Sequence, residues 1–310
     1  MDRARSDNGI TPLLIAAEKG FDTVVGLLLN IGGASVDQAR TDEAGATPLY
    51  VAAQGGHTET VQTLIEGGAA VNLAAAGTGI SPLYMAAQLG HVDTVCALLE
   101  GGAEAVAAPG GALATPLTIA AAQGHVAVVE LLVDKGGADV NSVREDDVGA
   151  TALFVAAAQG HVDVATALLL RGAEVNVATL DTGATPLFAA AGSGFNDVVN
   201  VLVNAGADLQ QVTTDLGSDS GMAPLHAAAL HGHDCVIKTL LAGGAPVNYE
   251  MADTVATALH MAAHENNLAA VHVLLEHGAD VAKPAFYDAL TPLAMAQAAG
   301  HEEVAAALQP

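Results

Sequence analysis

Two short apolar blocks alternate along the chain and return with a near-constant period. The first opens on a Thr-Pro-Leu-like tripeptide at Thr11, Thr47, Ser81, Thr115, Thr151, Thr185, Ala223, Thr257 and Thr291, in steps of 36, 34, 34, 36, 34, 38, 34 and 34 residues. Ala stands five residues after each start, usually as a pair (Ala16-Ala17, Ala52-Ala53, Ala86-Ala87), and Gly stands nine after it in eight of nine cases, often as Gly-His. The second block follows, as in Val24-Val25-x-x-Leu28-Leu29 or Val95-x-x-Leu98-Leu99, and ends on Gly-Ala. A pattern repeated this way marks units that cannot bury their apolar faces alone and complete a core by stacking.

Each unit reads as two short antiparallel helices. Thr accepts from the free N–H groups of the first helix, and Pro fills the first helical position, where its missing donor costs nothing. Leu and the two Ala fall on one face at three- and four-residue spacing, with Ala small enough for close helix contact. Gly ends the helix by adopting a left-handed conformation. Asp22, Glu59, Asp93, Asp163, Asp197 and Asp234 then fall in the first turn of the second helix, where a carboxylate favours the positive dipole end. A loop of ten or so residues leads to the next unit.

The string Thr115-Pro116-Leu117-x-x-Ala120-Ala121-x-x-Gly124-His125-x-x-Val128-Val129-x-x-Leu132 resembles an ankyrin repeat, and the resemblance runs over residues 11 to 309. It implies an all-α solenoid of stacked antiparallel helix pairs whose loops project as hairpin-like fingers. The helix pair and its period come from the residues; the finger geometry comes from the resemblance. The expectation is a single domain of nine repeats over residues 1–310.

Departures from the family pattern carry their own expectations. Most repeats are 34 residues long against the family's usual 33 or so, so each finger holds one residue more. Repeats one and four add a second Gly (Gly32-Gly33-Ala34, Gly136-Gly137-Ala138), expected to loosen the helix exit. The loop from Gln210 to Met222 is longer by four residues and precedes Ala223, which has no capping hydroxyl. Losing a cap costs about 1 kcal/mol, so the joint between repeats six and seven is expected to open most easily. Asn266 replaces the helix-ending Gly in repeat eight and, as the next-best left-handed residue, should preserve it. Met1 to Ile10 is polar and reads as a partial finger, while Glu302, Glu303 and three Ala soften the outer face of the last repeat, which ends at Leu308-Gln309-Pro310. Terminal repeats need polar outer faces for solubility.

Composition narrows the function. The chain is 52% hydrophobic but 3% aromatic with no Trp, so the core is a thin one of Ala, Val and Leu. Nine Lys and Arg against 34 Asp and Glu give a formal charge of -25, which opposes the counterion release that drives nucleic-acid binding. DNA, RNA and anionic membranes are therefore not expected partners. Cys96 and Cys235 lie four repeats apart, or about 40 Å if each repeat is one helix diameter thick, too far to bridge. Unpaired thiols and the want of a basic-then-apolar leader at Met1 to Ile10 point to an intracellular location, cytoplasmic or nuclear. No run of 18 apolar residues is present to span a membrane.

Candidate chemistry is sparse. Six Gly-His pairs (His57, His91, His125, His161, His233, His301) occupy one register point that Phe21 and Phe195 also take, which marks a framework position rather than a ligand set. His226, His231, His233, His260 and His264 crowd repeats seven and eight, with His260 and His264 four apart beside Glu265; that spacing can hold zinc, and such rings can also act as a pH switch near neutrality. Set against a metal site are the two-turn helix and the lack of a completing Cys or Asp. No nucleophile elbow, phosphate loop, dinucleotide fingerprint or zinc Cys pair is present, so neither an enzyme nor a cofactor is expected. A further reading treats the chain as a substrate: the resemblance implies asparaginyl hydroxylation after Gly-Ala-x-Val, matching Asn72, Asn141, Asn176 and Asn248, with Asn bonding its own turn as the structural alternative.

What remains is a surface for a protein partner. The resemblance implies a grip by the concave side, through fingertips and the two positions before the helix-ending Gly. Those positions include Gln54, Gln88, Leu89, Gln123, Gln159, Leu230, His231 and His264, and they vary while the frame stays fixed. Several fingers are acidic, at Asp42-Glu43, Glu145-Asp146-Asp147, Asp181, Asp215 and Asp219, Glu250 and Asp253, whereas Leu73 to Ile80 and Val106 to Ala114 carry no charge. Acid alternating with apolar contact suits a segment with Lys or Arg between hydrophobic residues. Tyr50, Tyr84, Phe154 and Phe188 take the fourth place of their motifs and are expected to stack between repeats.

Overall fold

The computed structural model describes residues 9–42, 44–106, 114–144, 148–214, 221–285 and 289–309. The chain divides into two compact units, Met1–Asp146 and Asp147–Pro310. Four helix pairs make up the first: α1 (Pro12–Glu18) with α2 (Asp22–Asn30), α3 (Pro48–Gln54) with α4 (Thr58–Glu66), α5 (Pro82–Leu89) with α6 (Val92–Glu100), and α7 (Pro116–Ala122) with α8 (Val126–Asp134). The second holds five: α9 (Ala152–Gln159) with α10 (Val162–Leu170), α11 (Pro186–Ser193) with α12 (Asn196–Asn204), α13 (Pro224–Leu230) with α14 (Asp234–Ala242), α15 (Ala258–His264) with α16 (Leu268–Glu276), and α17 (Pro292–Ala299) with α18 (Glu302–Ala307). Within each unit, first helices pack on neighbouring first helices and second on second, as in α3 on α5 and α12 on α14. The fold is an all-α ankyrin-repeat solenoid, as the repeat pattern implied.

Local chemistry sets each helix. Thr11, Thr47, Ser81, Thr115, Thr151, Thr185 and Thr291 each accept an N–H from three residues on, at 3.1–3.2 Å. Asn266 takes the left-handed conformation expected of it, with φ +60. The second Gly of repeats one and four does not loosen the helix exit: the extra residue is absorbed in a wider turn in which Gly32 donates to the Leu27 carbonyl at 3.2 Å and Ala34 to that of Leu28 at 3.1 Å, and Gly136 and Ala138 follow suit. Leu13, Leu49, Leu83 and Leu117 in one unit, and Leu153 and Leu187 in the other, are fully buried beside solvent-free Ala pairs. Each buried Leu contributes about 1.5–3 kcal/mol, and the Ala faces let neighbouring helices approach closely enough to leave no room for water.

Ala223 lacks a capping hydroxyl, yet its helix start is not left open. His226 reaches back three residues, and its Nδ1 accepts the Ala223 N–H at 3.2 Å, while the His226 N–H turns to the Ala223 carbonyl at 2.9 Å. Thr213 accepts the Met222 N–H at 3.1 Å. The weakness expected at this joint is therefore offset by side chains that the capping pattern does not reveal. The loop's residues 215–220 lie outside the described set.

The fingers are hairpin-like without forming strands among the described residues; an isolated antiparallel bridge pairs Ala285 with Leu290. Ala75 donates to the Ile80 carbonyl, Thr179 to Ala184 and Met251 to Ala256, each at 2.9 Å, closing the loops. Successive fingers also bond to one another, with Leu180 donating to the Val148 carbonyl at 2.8 Å and Thr214 to that of Thr182 at 2.9 Å. Under the fingers of repeats six to eight lies a small apolar cluster of Met222, Met251, Ala256 and Ala285, against which Phe188, Leu230 and Met261 pack. Tyr50 is buried and Tyr84, Phe154 and Phe188 are half-buried, in line with a stacking role. Among the described residues no helix is long and apolar enough to cross a membrane.

Candidate binding surface

Side chains committed to the stack must be set aside before a binding surface can be defined. The Gly-His histidines are among them. His57 Nε2 donates to the Glu18 carbonyl, His91 to Gln54 and His125 to Gln88, each at 3.1 Å; His233 donates to Gly192 at 3.0 Å and His301 to His264 at 2.9 Å. Asn267 serves the same role in repeat eight by donating to Ala229 and Leu230. The His57, His91, His125 and His233 rings each sit where a Cβ on the previous repeat's glycine would fall, 2.6 Å from the His57 ring at Gly20 and 2.7 Å from the His233 ring at Gly194. Glycine is thus required twice over at these points, for its positive φ and for the space the next ring fills.

His226 and His260 are also spoken for. Both rings are buried. Each accepts its own cap residue's N–H through Nδ1, at 3.2 Å from Ala223 and 3.1 Å from Thr257, and donates through Nε2 to a finger carbonyl, Tyr249 or Lys283, at 3.1 Å. Both nitrogens being used, neither ring has a lone pair left for a metal. Burial pushes the His226 pKa down to about 4, so the expectation of a switch near neutrality is corrected for that ring, and burial lowers the pKa of His260 as well. His264 Nδ1 pairs with Glu265 at 2.7 Å in solvent. Among the described residues no three His, Cys, Asp or Glu side chains come close enough to hold a metal ion. Cys96 and Cys235 are free thiols.

Three of the four asparagines singled out for hydroxylation, Asn72, Asn176 and Asn248, bond the next repeat, which corrects the local reading for them. Asn72 Oδ1 accepts the Glu104 N–H at 2.9 Å and its Nδ2 donates to the Gly102 carbonyl at 3.4 Å. Asn176 accepts the Asp208 N–H at 2.9 Å, and Asn248 accepts that of Asp280 at 2.8 Å while donating to Gly278 at 3.3 Å. Asp37 does the equivalent for Ala70 at 3.1 Å. A carboxylate or amide at this point clamps two repeats together.

The first-helix positions before the turn remain. The second of each pair is exposed in every repeat, including Leu89, Gln123, Gln159 and His231, and Gln54 and His264 are exposed as well. Gln88 is half-buried, and Leu230 is half-buried against the methionine cluster, so these two belong partly to the frame. Among the described residues the nine first helices contain a single charged side chain, Glu18; the other helical carboxylates lie on the second helices. The row before the turn carries charge at Glu18, Lys19 and Glu265 and otherwise holds no carboxylate, Lys or Arg. Asp181 is exposed on its finger, where its Oδ1 accepts from the Thr182 backbone N–H at 2.7 Å and hydroxyl at 3.2 Å; desolvation acts to raise its pKa, but hydrogen bonds from Thr179 and Thr182 outweigh it and hold the carboxyl below its usual value. Glu43, Glu145, Asp146, Asp147, Asp215 and Asp219, and most of the uncharged finger from Val106 to Ala114, lie outside the described residues.

A family model described as ankyrin repeats (3 copies) matches residues 13–109, 83–179, 171–251 and 225–309. The chain belongs to the ankyrin repeat family. No curated protein matches the sequence. Ankyrin repeats are in general protein–protein interaction modules, and proteins built of them are typically non-enzymatic scaffolds. That function agrees with a geometry in which the ankyrin histidines and asparagines are consumed by the stack and one row of side chains is left over.

Proposed function

We propose that this ankyrin array is an intracellular scaffold that holds a protein segment along its first-helix row, with basic groups of that segment directed to the finger carboxylates. The observation that carries the reading is the exposure, repeat after repeat, of the position before the turn, which holds no carboxylate, Lys or Arg except at Lys19 and Glu265, while its neighbours are tied into the stack. The row offers Gln54, Leu89 and Gln123 in the first unit and Gln159 in the second, amide and apolar groups suited to a partner's backbone and small side chains. Acid on the fingers speeds the approach of a basic segment and fixes its direction without burying charge at the centre.

The test is site-specific photo-crosslinking in cells. A photoreactive residue at Gln123 or Gln159 is expected to trap a protein, and one at the exposed second-helix positions Glu59 or Cys235 is not. Trapping from the second helices alone would overturn the assignment of the surface. Reversing Glu145, Asp146 and Asp147 to Lys should weaken capture at low salt most; unchanged salt dependence would remove the basic character of the partner.

A further inference from the structure

In the first unit a thiol, an amine and a carboxylate from two neighbouring repeats converge on one spot. Cys96 and Glu100 stand one helical turn apart on α6, and Lys135 caps the end of α8, which packs on α6. The Lys135 ammonium donates to Cys96 Sγ at 3.2 Å and to Glu100 Oε1 at 2.6 Å, and the Cys96 thiol donates to the same Oε1 at 3.6 Å. The thiol is half-buried, and Lys135 and Glu100 are exposed, so a small reagent can reach the group.

The second cysteine shows what this arrangement adds. Cys235 is exposed, its thiol faces Asp234 at 4.0 Å, and the nearby Lys238 is bound to Asp234 at 3.2 Å. At Cys96, by contrast, nitrogen and sulfur already stand at a separation typical of reacting atoms poised for attack, about 3–3.5 Å. The flexible four-carbon stem of Lys lets the amine close the remaining distance. Bonds from Lys135 and Cys96 hold the Glu100 carboxyl below its ordinary pKa, so it is ionised and able to take a proton. The bond to Glu100 holds Lys135 above its own, so the neutral amine is the scarce species and becomes more abundant as pH rises.

We infer that Cys96 and Lys135 are the two ends of a covalent bridge that hydrogen peroxide closes and a thiol reductant reopens. In the first step sulfur attacks the peroxide, the O–O bond breaks, and Cys96 becomes a sulfenic acid with release of water; sulfur loses two electrons and the peroxide gains them. In the second, Glu100 takes one proton from the Lys135 ammonium and the freed Nζ lone pair attacks sulfur. The S–O bond breaks, the hydroxide leaves as water with a second ammonium proton, and an Sγ–Nζ sulfenamide remains. The bridge ties residues 39 apart in the chain and straps repeat three to repeat four, so it should stabilise that pair of repeats as a disulfide would.

The test uses the full chain carrying Cys235→Ser, treated with hydrogen peroxide at mildly alkaline pH and mapped by peptide mass. Expected is a linked pair of peptides holding Cys96 and Lys135, lighter by two hydrogens than the two apart and separated by dithiothreitol. The linked chain should also melt at a higher temperature than the untreated one. Lys135→Arg keeps a cation beside Glu100 but offers no primary amine. It should match the parent in circular dichroism, form no link, leave a Cys96 sulfenic acid that a dione trap labels, and lose the rise in melting temperature. A Cys96 that stays reduced, or that oxidises while the Lys135 peptide remains unlinked, would overturn the inference. So would a link that persists in Lys135→Arg, or a linked pair that has kept an oxygen between nitrogen and sulfur.

Discussion

Acidification from pH 7 to 5 should loosen repeat seven through one buried ring. The His226 pKa, pushed down from 6.5 to about 4 by desolvation, is depressed further by the neighbouring His260 and held up in part by its bonds to backbone. The unfolded chain takes up this proton near its ordinary pKa of about 6.5, the folded chain only near 4. Between those values the unfolded state binds more protons, so stability falls as pH falls: the contribution of the neutral ring is complete above pH 6.5 and gone once pH drops below the folded value. A gap of about 2.5 units at about 1.4 kcal/mol each is worth about 3 kcal/mol, and about 2 kcal/mol of it is lost by pH 5. The structural reason is direct. A proton on Nδ1 replaces the acceptor that faces the Ala223 N–H at 3.2 Å with a second donor.

The comparison is between the parent chain and His226→Gln, unfolded in urea at pH 7, 6 and 5, where most of the 34 carboxylates stay ionised. Repeat arrays need not unfold as one unit, so amide exchange across α13 to α15 should be read beside the global signal. The parent is expected to lose about 2 kcal/mol more than the variant between pH 7 and 5. His260, shifted in the same direction by burial, should leave a smaller slope in the variant that His260→Gln flattens further. Equal slopes in parent and variant, or a proton-resonance titration of His226 centred near its ordinary value, would refute the reasoning.

Three stability predictions follow from single positions. Thr60 is buried with no partner for its hydroxyl among the described residues, at a register where Val24, Val128 and Val164 stand; Thr60→Val should raise stability by about 1 kcal/mol in a thermal melt, the desolvation cost of an unmet hydroxyl. Gly206, with φ +85 and open space around it, should tolerate Ala at a loss of about 1 kcal/mol, whereas Gly194→Ala, with the His233 ring 2.7 Å from the new carbon, should lose clearly more in the same urea titration. Asn248→Ala should cost about 1 kcal/mol and speed amide exchange at Asp280, whose N–H it leaves without its 2.8 Å acceptor.

How much of this was legible in the sequence depends on the distance over which a residue acts. The caps, the Pro starts and the left-handed ends could be read directly, because each satisfies a backbone group within a few residues: Thr185 and Phe188, or Asn266 and its own φ. The Gly-His pair was legible as a frame position but not as a bond, because its acceptor is a carbonyl 37 residues away in the case of His91 and Gln54. The asparagines misled for the same reason. A short polar side chain after a turn ordinarily bonds that turn, whereas Asn72 reaches Glu104, 32 residues on. Both separations sit close to one repeat period, and that coincidence is the signal by which inter-repeat bonds of this kind can be sought. His226 was obscured differently, since a missing hydroxyl at Ala223 reads as a lost cap until the ring three residues later is seen to turn back.

The same division between local and neighbour-facing roles bears on recognition. A position whose side chain is needed by the next repeat cannot vary freely, so specificity is confined to what the stack leaves over, one or two side chains per repeat on the first helices and the finger tips. Because the first-helix row is charged only at Glu18, Lys19 and Glu265 among the described positions, the two sets of leftovers act for the most part through different physics. Finger carboxylates act through a field that salt screens over about 8–10 Å, and the first-helix row acts through contact that salt leaves alone. For the proposed partner, substitutions on the fingers should change the rate of association and its salt dependence, and substitutions at Leu89 or Gln123 should change the rate of dissociation at every salt concentration. A finger variant and a row variant that shift the same rate with the same salt dependence would mean that the charge and the row do not form separate parts of one surface.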